Sequence, residues 1–262
     1  MRFSTLSLET REKIARITLN RPEATNSINM DMAKDLMHAV AACSEDPAIR
    51  ALIILGAGKV FCTGGDVKAF AAAGTDLPLV LKELTTYLHA AVSRLVRLGV
   101  PVVAAVQGAV AGAGMSLMLA SDFAIAGEST RFTMAYTRVG LTPDGALTFH
   151  LSRLVGLRRA IELTMTNRVL TADEALAWHL VTEVVPDSDV LSRAELLVSQ
   201  LAAGPTRAFA EAKRLFYSGW TEALETQMEN ETQAISRMAH TADAREGITA
   251  FIEKRAASFS GE

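Results

Sequence analysis

Little in this chain points to covalent staples, a metal centre or a strongly charged ligand. Its 262 residues include only two cysteines, Cys43 and Cys62, which form neither a disulfide framework nor a metal-type pair. A reducing compartment, the cytoplasm, is the expectation that follows. Five histidines (His38, His89, His150, His179 and His240) are scattered without an HExxH pattern or a Cys/His cluster, so no metal site is expected. Charge of one sign is missing too. Twenty-six Lys+Arg against 29 Asp+Glu leave a net charge of −3, no field with which to gather nucleic acid or anionic lipid. The opening MRFSTLSLETREK lacks the apolar run of a secretion signal.

Phosphate-binding and hydrolase signatures are absent as well. Gly56-Ala57-Gly58-Lys59 lacks the P-loop spacing, Gly108 to Gly114 reads GAVAGAG rather than GxGxxG, and no GxSxG occurs.

What is present is apolar. Half of the residues are hydrophobic, enough to bury a large core without staples. Leu98 to Ser121 carries no charge and is long enough to span a bilayer, with Gly108 and Gly112 as a GxxxG pair. Pro101, Gln107, Gly108, Gly112, Gly114 and Ser116 interrupt it, however, and Val102 to Val106 reads as a strand. A buried strand, a glycine turn and a buried helix are expected here, at the centre of a core rather than in a membrane.

Strand and helix patterns alternate along the first half. Strands are expected at Lys13 to Asn20, Ala51 to Leu55, Phe123 to Ile125 and Val181 to Val185, and helices over Met30 to Ala42 and around Leu84 to Leu95. Thr171 to Glu174 has the form of a capping box. Beyond Pro205 only helices are expected, at Thr206 to Tyr217, Glu222 to Ala239 and Asp243 to Lys254, with thin apolar stripes that need a covering surface. The predicted fold class is α/β, with a core over 1–200 and a helical oligomerisation region over 201–262.

Two glycine-rich turns stand where strands pass into helices, Cys62-Thr63-Gly64-Gly65-Asp66 and Gly108 to Gly114. Each can leave backbone N–H groups unpaired at a helix start, where they favour negative charge. Glycines there also serve tight turns and close packing, and from these residues alone that plainer role is the one expected.

These turns belong to a wider pattern. Asn20-Arg21-Pro22-Glu23 with Asn26, the run Gly56 to Asp66, Pro101 to Gly108, Ala120-Ser121-Asp122, Gly140 to Asp144 and Arg245 to Arg255 together resemble the crotonase (enoyl-CoA hydratase/isomerase) superfamily, in family order over essentially the whole chain. That resemblance implies a core of stacked ββα turns in a spiral, followed by helices that form trimers, often paired into hexamers. It implies an acyl-CoA thioester as substrate, coenzyme A being part of that substrate, and no separate cofactor. The N–H groups of Gly65 and Ala113 would hold the thioester oxygen. Ala24, Thr63, Gly64, Asp66, Lys68 and Tyr136 would line the path of acyl group and coenzyme A. Phe251 and Lys254 of a neighbouring copy would meet its adenine and phosphates. The Asp66 side chain fits a helix N-cap better than a catalyst. Ala71 to Pro78 is expected to form part of the acyl pocket.

Family hydratases carry two glutamates, and here those positions fall on Ser116 and Tyr136. Neither replaces a carboxylic acid near neutrality, since tyrosine titrates near about pH 10. Asp144 is the carboxylate available, either as an N-cap of a helix over Ala146 to Val155 or as a catalytic base. The segment Phe132 to Asp144 most resembles the epoxyphenylacetyl-CoA isomerase branch. A double-bond isomerase is therefore expected, with a hydratase using Asp144, or a relative that binds acyl-CoA without turnover, as alternatives.

Overall fold

Continuous apolar runs build the centre of the fold. In the computed structural model, which describes residues 3–262, they form strands β1 (Leu6–Arg11), β2 (Ile14–Leu19), β3 (Ala51–Gly56), β4 (Val102–Val106), β5 (Ala109–Ala111), β6 (Phe123–Gly127), β7 (Arg131–Thr133) and β8 (Glu183–Val185). Six of them make one sheet in the order β1-β2-β3-β4-β6-β8, and β5 pairs with β7 in a second. All neighbours are parallel except β1 and β2. Parallel strands are covered on both faces, which explains why β3 and β4 read as unbroken apolar runs.

Alternate residues of these strands face two layers. Leu52, Ile54, Val102 and Ala104 join the main core beneath helices α1 (Met30–Glu45), α2 (Val67–Ala73) and α3 (Leu77–Val96). Ile53, Val103, Ala105 and Ile125 face the other way. The charge-free stretch resolves as expected, into buried β4, the β5 turn and α4 (Ala113–Leu119), whose residues are all buried. Among the described residues, no helix is long and apolar enough to cross a membrane.

Helices α5 (Leu147–Val155), α6 (Leu157–Thr166) and α7 (Ala172–Ala177) follow, the last opened by the Thr171/Glu174 capping box. Then α8 (Val190–Ala202) lays Val190, Ala194 and Val198 on the second sheet face. The chain ends in α9 (Thr206–Ser218), α10 (Leu224–Ala239) and α11 (Ala242–Glu253). Polar ties hold this end to the core. Lys213 on α9 donates to Asp122 at 2.8 Å, and buried Arg50 donates to Thr206, Gly204 O and Phe259 O.

Candidate active site

The site begins where β3 and β4 end. Their register, Leu52 opposite Val102 through Leu55 opposite Ala105, sets the two carboxyl ends side by side, the usual place for a ligand in a parallel sheet. The chain leaving each strand becomes one of the glycine turns. Phe61 N–H donates to Gln107 O at 2.9 Å and Ala111 N–H to Cys62 O at 3.0 Å, which stitches the turns together. Gly64 (φ +96°) and Gly112 (φ +51°) then meet back to back, in left-handed backbone that favours glycine. A Cβ on Gly64 would stand 3.0 Å from Ala111 O and 3.2 Å from Ala113 N.

This contact leaves two donors free. Ile28 bonds to Gly64 O and to Asp66 N–H, so the N–H of Gly65 between them points away from that neighbour. Ala113 is the first residue of α4, where an N–H has no intrahelical acceptor. Among the described residues neither N–H has a protein partner. Both residues line one cavity of about 330 Å³, walled largely by apolar side chains such as Val67, Phe70, Leu84, Leu88 and Leu141, with Lys82, Thr85, Arg138 and Thr142 among its polar lining. Two unpartnered donors on the wall of one largely apolar cavity suit an oxygen that gains negative charge.

The glycine turn is held from behind by the Asn20-to-Asn26 motif. Fully buried Asn26 donates to Ala57 O and Val60 O, each at 2.9 Å. Arg21 donates to Ser27 O and pairs with Asp66 at 2.9 Å. Asp66 also caps α2 by accepting from Ala69 N–H. Burial raises the Asp66 carboxyl, but its bonds to Arg21 and the helix outweigh this and hold it below the usual range.

Across the cavity stands its one carboxylate among the described residues, Asp144. Its Oδ1 accepts from the Tyr136 hydroxyl at 2.5 Å, and Ser116 Oγ donates to its backbone carbonyl at 2.9 Å. Ser116 and Tyr136 are themselves 3.1 Å apart. Burial and the Asp144 charge push the Tyr136 hydroxyl well above the usual tyrosine range, so it remains a donor. The second oxygen, Oδ2, lies 3.7 Å from His89 Nε2. His89 Nε2 also accepts from Gly145 N–H at 3.0 Å, which directs its lone pair toward that peptide. Asp144 does not cap α5: Ala146 holds that position without a side-chain bond, and Gly145 and Ala146 are both left-handed, at φ +61°.

The structure thus brings together Thr63, Gly65, Ala113, Tyr136 and Asp144, with Gly64 directly behind the two donors. It does not bring the Asp66 carboxylate to the cavity, since Arg21 and the α2 cap occupy it. Ala24 and Lys68 also lie outside the cavity wall, Ala24 in the short turn Pro22–Ala24 and Lys68 on the exposed side of α2. Phe251 and Lys254 stand on and just after α11, away from this chain's own cavity. Ala71 to Pro78 is helix and tight turn rather than cavity wall, and only its flanks Phe70 and Leu81 reach inside. Sequence reasoning missed His89, whose place opposite a residue 56 positions away no local pattern records.

A larger cavity of about 860 Å³ lies elsewhere, between the core and α9. Its acid, Asp122, is already bound by Lys213 and by Val102 N–H, so the smaller cavity is the one equipped for chemistry.

Comparisons with known proteins identify the family. The family model described as enoyl-CoA hydratase/isomerase matches residues 9–262. A Rhodobacter capsulatus protein named "Probable enoyl-CoA hydratase" is 38% identical, over 100% of both chains. The 1,2-epoxyphenylacetyl-CoA isomerase of Escherichia coli is 36% identical over 94% of both. A crystal structure of an enoyl-CoA hydratase from Polaromonas superposes with a TM-score of 0.92 at 33% identity, covering 97% of this chain and 99% of the other. The chain belongs to the enoyl-CoA hydratase/isomerase family, with the crotonase fold. It is an acyl-CoA-processing enzyme of that family.

Proposed function

We propose that the protein is an enoyl-CoA isomerase working with one carboxylate. The observation that carries this reading is that Asp144 is the only acid on the cavity wall among the described residues, with Ser116 and Tyr136 where the resemblance would place a hydratase's two glutamates. Hydration must both activate water and deliver a proton. Moving a double bond adds nothing and needs one group that can take a proton and give it back.

Asp144 Oδ2 removes a proton from C2 of a 3-enoyl thioester. The electrons of that C–H bond pass into a dienolate, whose oxygen lies between the N–H groups of Gly65 and Ala113. The same acid returns the proton at C4, leaving the conjugated 2-enoyl thioester and a free carboxylate. Atoms balance without water or cofactor, and coenzyme A enters only as part of the substrate. Thr63 and Gly64 border the thioester, and Ala24, Lys68 and a neighbouring copy's Phe251 and Lys254 are proposed for the coenzyme A end.

Incubated with a 3-enoyl-CoA, the protein should produce the absorbance of a conjugated thioester. Asp144→Asn should lose both this activity and deuterium exchange at the α-carbon, by at least about 10³-fold, while remaining folded. Unchanged exchange in that variant would refute the assignment. Crotonyl-CoA losing its conjugated absorbance at comparable rate would instead favour a hydratase, and acyl-CoA bound without turnover a binding protein.

A further inference from the structure

We infer that His89 is a positioning residue for Asp144, fixing the peptide that follows it and closing the wall behind it. This rests on the reading of Asp144 as the proton carrier.

The turn that carries Asp144 is an unfavourable one. Gly145 and Ala146 are successive left-handed residues at φ +61°, and the second has a Cβ. L-residues adopt this backbone only when the surroundings hold it. Three side chains from three separate parts of the chain do so. Ser116 from α4 binds the Asp144 carbonyl, Tyr136 binds carboxylate Oδ1, and His89 from α3 accepts the Gly145 N–H. With Oδ1 taken by Tyr136, Oδ2 alone is available for moving a proton. Its direction is set by the peptide plane that His89 grips.

The same bond forms a partition. Asp144 lines the reaction cavity, whereas His89, Gly145 and Ala146 line a second one of about 370 Å³ on the other side. His89 is half exposed, so water reaches the ring. Around it stand Ser93 on α3 and Arg97 just after it, Phe149 and His150 on α5, and Tyr217 on α9. Loss of the imidazole opens a route from that cavity to the protonated Asp144. A held proton can then exchange with solvent before it is returned.

The test follows a label rather than activity alone. A 3-enoyl-CoA deuterated at C2 is converted by the wild-type protein, His89→Gln and His89→Ala, and deuterium at C4 of the product is measured by mass spectrometry. The wild type should return a substantial fraction of the label. His89→Ala should lower kcat about ten- to a hundredfold with KM little changed, and should wash the label into solvent. In His89→Gln the amide oxygen can accept the Gly145 N–H, so most of the rate and the label should be kept. Exchange of the Gly145 amide should quicken in His89→Ala but not in His89→Gln, a readout that needs no substrate. Equal label return and equal amide exchange in the wild type and His89→Ala overturn the inference. A Gln variant as impaired as the Ala variant also overturns it, because the imidazole would then be handling protons itself. A wild type that moves no double bond, with the amide result as expected, sinks the isomerase reading and leaves the positioning role standing.

Discussion

The sheet with its glycine turns and the three C-terminal helices solve the problem of burial in opposite ways. At the centre, β4 and α4 have no solvent face, and even the polar parts of the site are held by backbone pairing and buried side chains such as Asn26. At the end, α10 has a single buried residue, Ala234, while Met228 and Ile235 on α10 and Ile248, Phe251 and Ile252 on α11 are exposed. One region is complete within the chain. The other is fastened to it by a few polar ties and presents an apolar face outward, as helices do when a second copy covers them.

The largest effect should come from cutting the main tie. Lys213 and Asp122 are 10% and 18% exposed, and burial shifts both groups against their charged forms, Asp122 upward and Lys213 downward, despite the 2.8 Å contact. Lys213→Met strands a buried carboxylate and should cost about 3–5 kcal/mol of stability at neutral pH. The sign with pH is definite. An acid whose folded pKa lies above its unfolded value destabilises the fold as pH rises through that interval, so the variant should recover part of the loss on acidification. Denaturant melts at pH 7 and pH 5 measure this. Adding Asp122→Leu should restore much of the stability at both, and equal deficits at both would show that the pair carries no buried charge.

The next effect is confined to the central region. In Gly64→Ala the new Cβ meets Ala111 O at 3.0 Å and Ala113 N at 3.2 Å, in backbone at φ +96°. Ala113 N, one of the neighbours crowded by that Cβ, is one of the two donors, and losing one donor of such a pair costs about 10²–10³-fold in rate. We expect kcat to fall by about this factor. Gly99→Ala, where nothing stands within 4 Å, serves as the control and should leave the rate unchanged. Equal kcat in both variants would separate the glycine contact from the chemistry.

The same division governs what the sequence reveals. The central strands and α4 were legible because residues without a solvent face leave an unbroken apolar record, and the amphipathic helices α1 and α3 because their buried residues recur at helical spacing. β1 was not, since LSLETR lies at the sheet edge with polar residues outward. β5 and β7, three residues each, exist only through their pairing across the glycine turn. Within the site, the turns and Asp144 were found from motifs in one linear order. The Ser116–Tyr136–Asp144–His89 cluster depends on chain crossings that no spacing encodes. Asp66 shows the converse, a motif acid whose charge the scaffold uses.

The smallest effect per substitution, and the one that bears most directly on the comparison, lies on α11. Phe251 is 87% exposed and Ile252 73%, an outward pair that gains nothing in an isolated chain. Fully burying a side chain of this size is worth about 1.5–3 kcal/mol, so a homotrimer or a dimer of trimers that covers them loses about that much per site when they become serine. Sedimentation velocity at micromolar concentration should show the wild type as trimer or hexamer. Phe251→Ser with Ile252→Ser should shift the population toward monomer while the helix signal stays the same. The core is untouched, so melting of the dissociated variant should still report an intact sheet. A wild-type protein that sediments as a monomer would leave the two regions differing only in packing, and the exposed face of α11 without a covering copy.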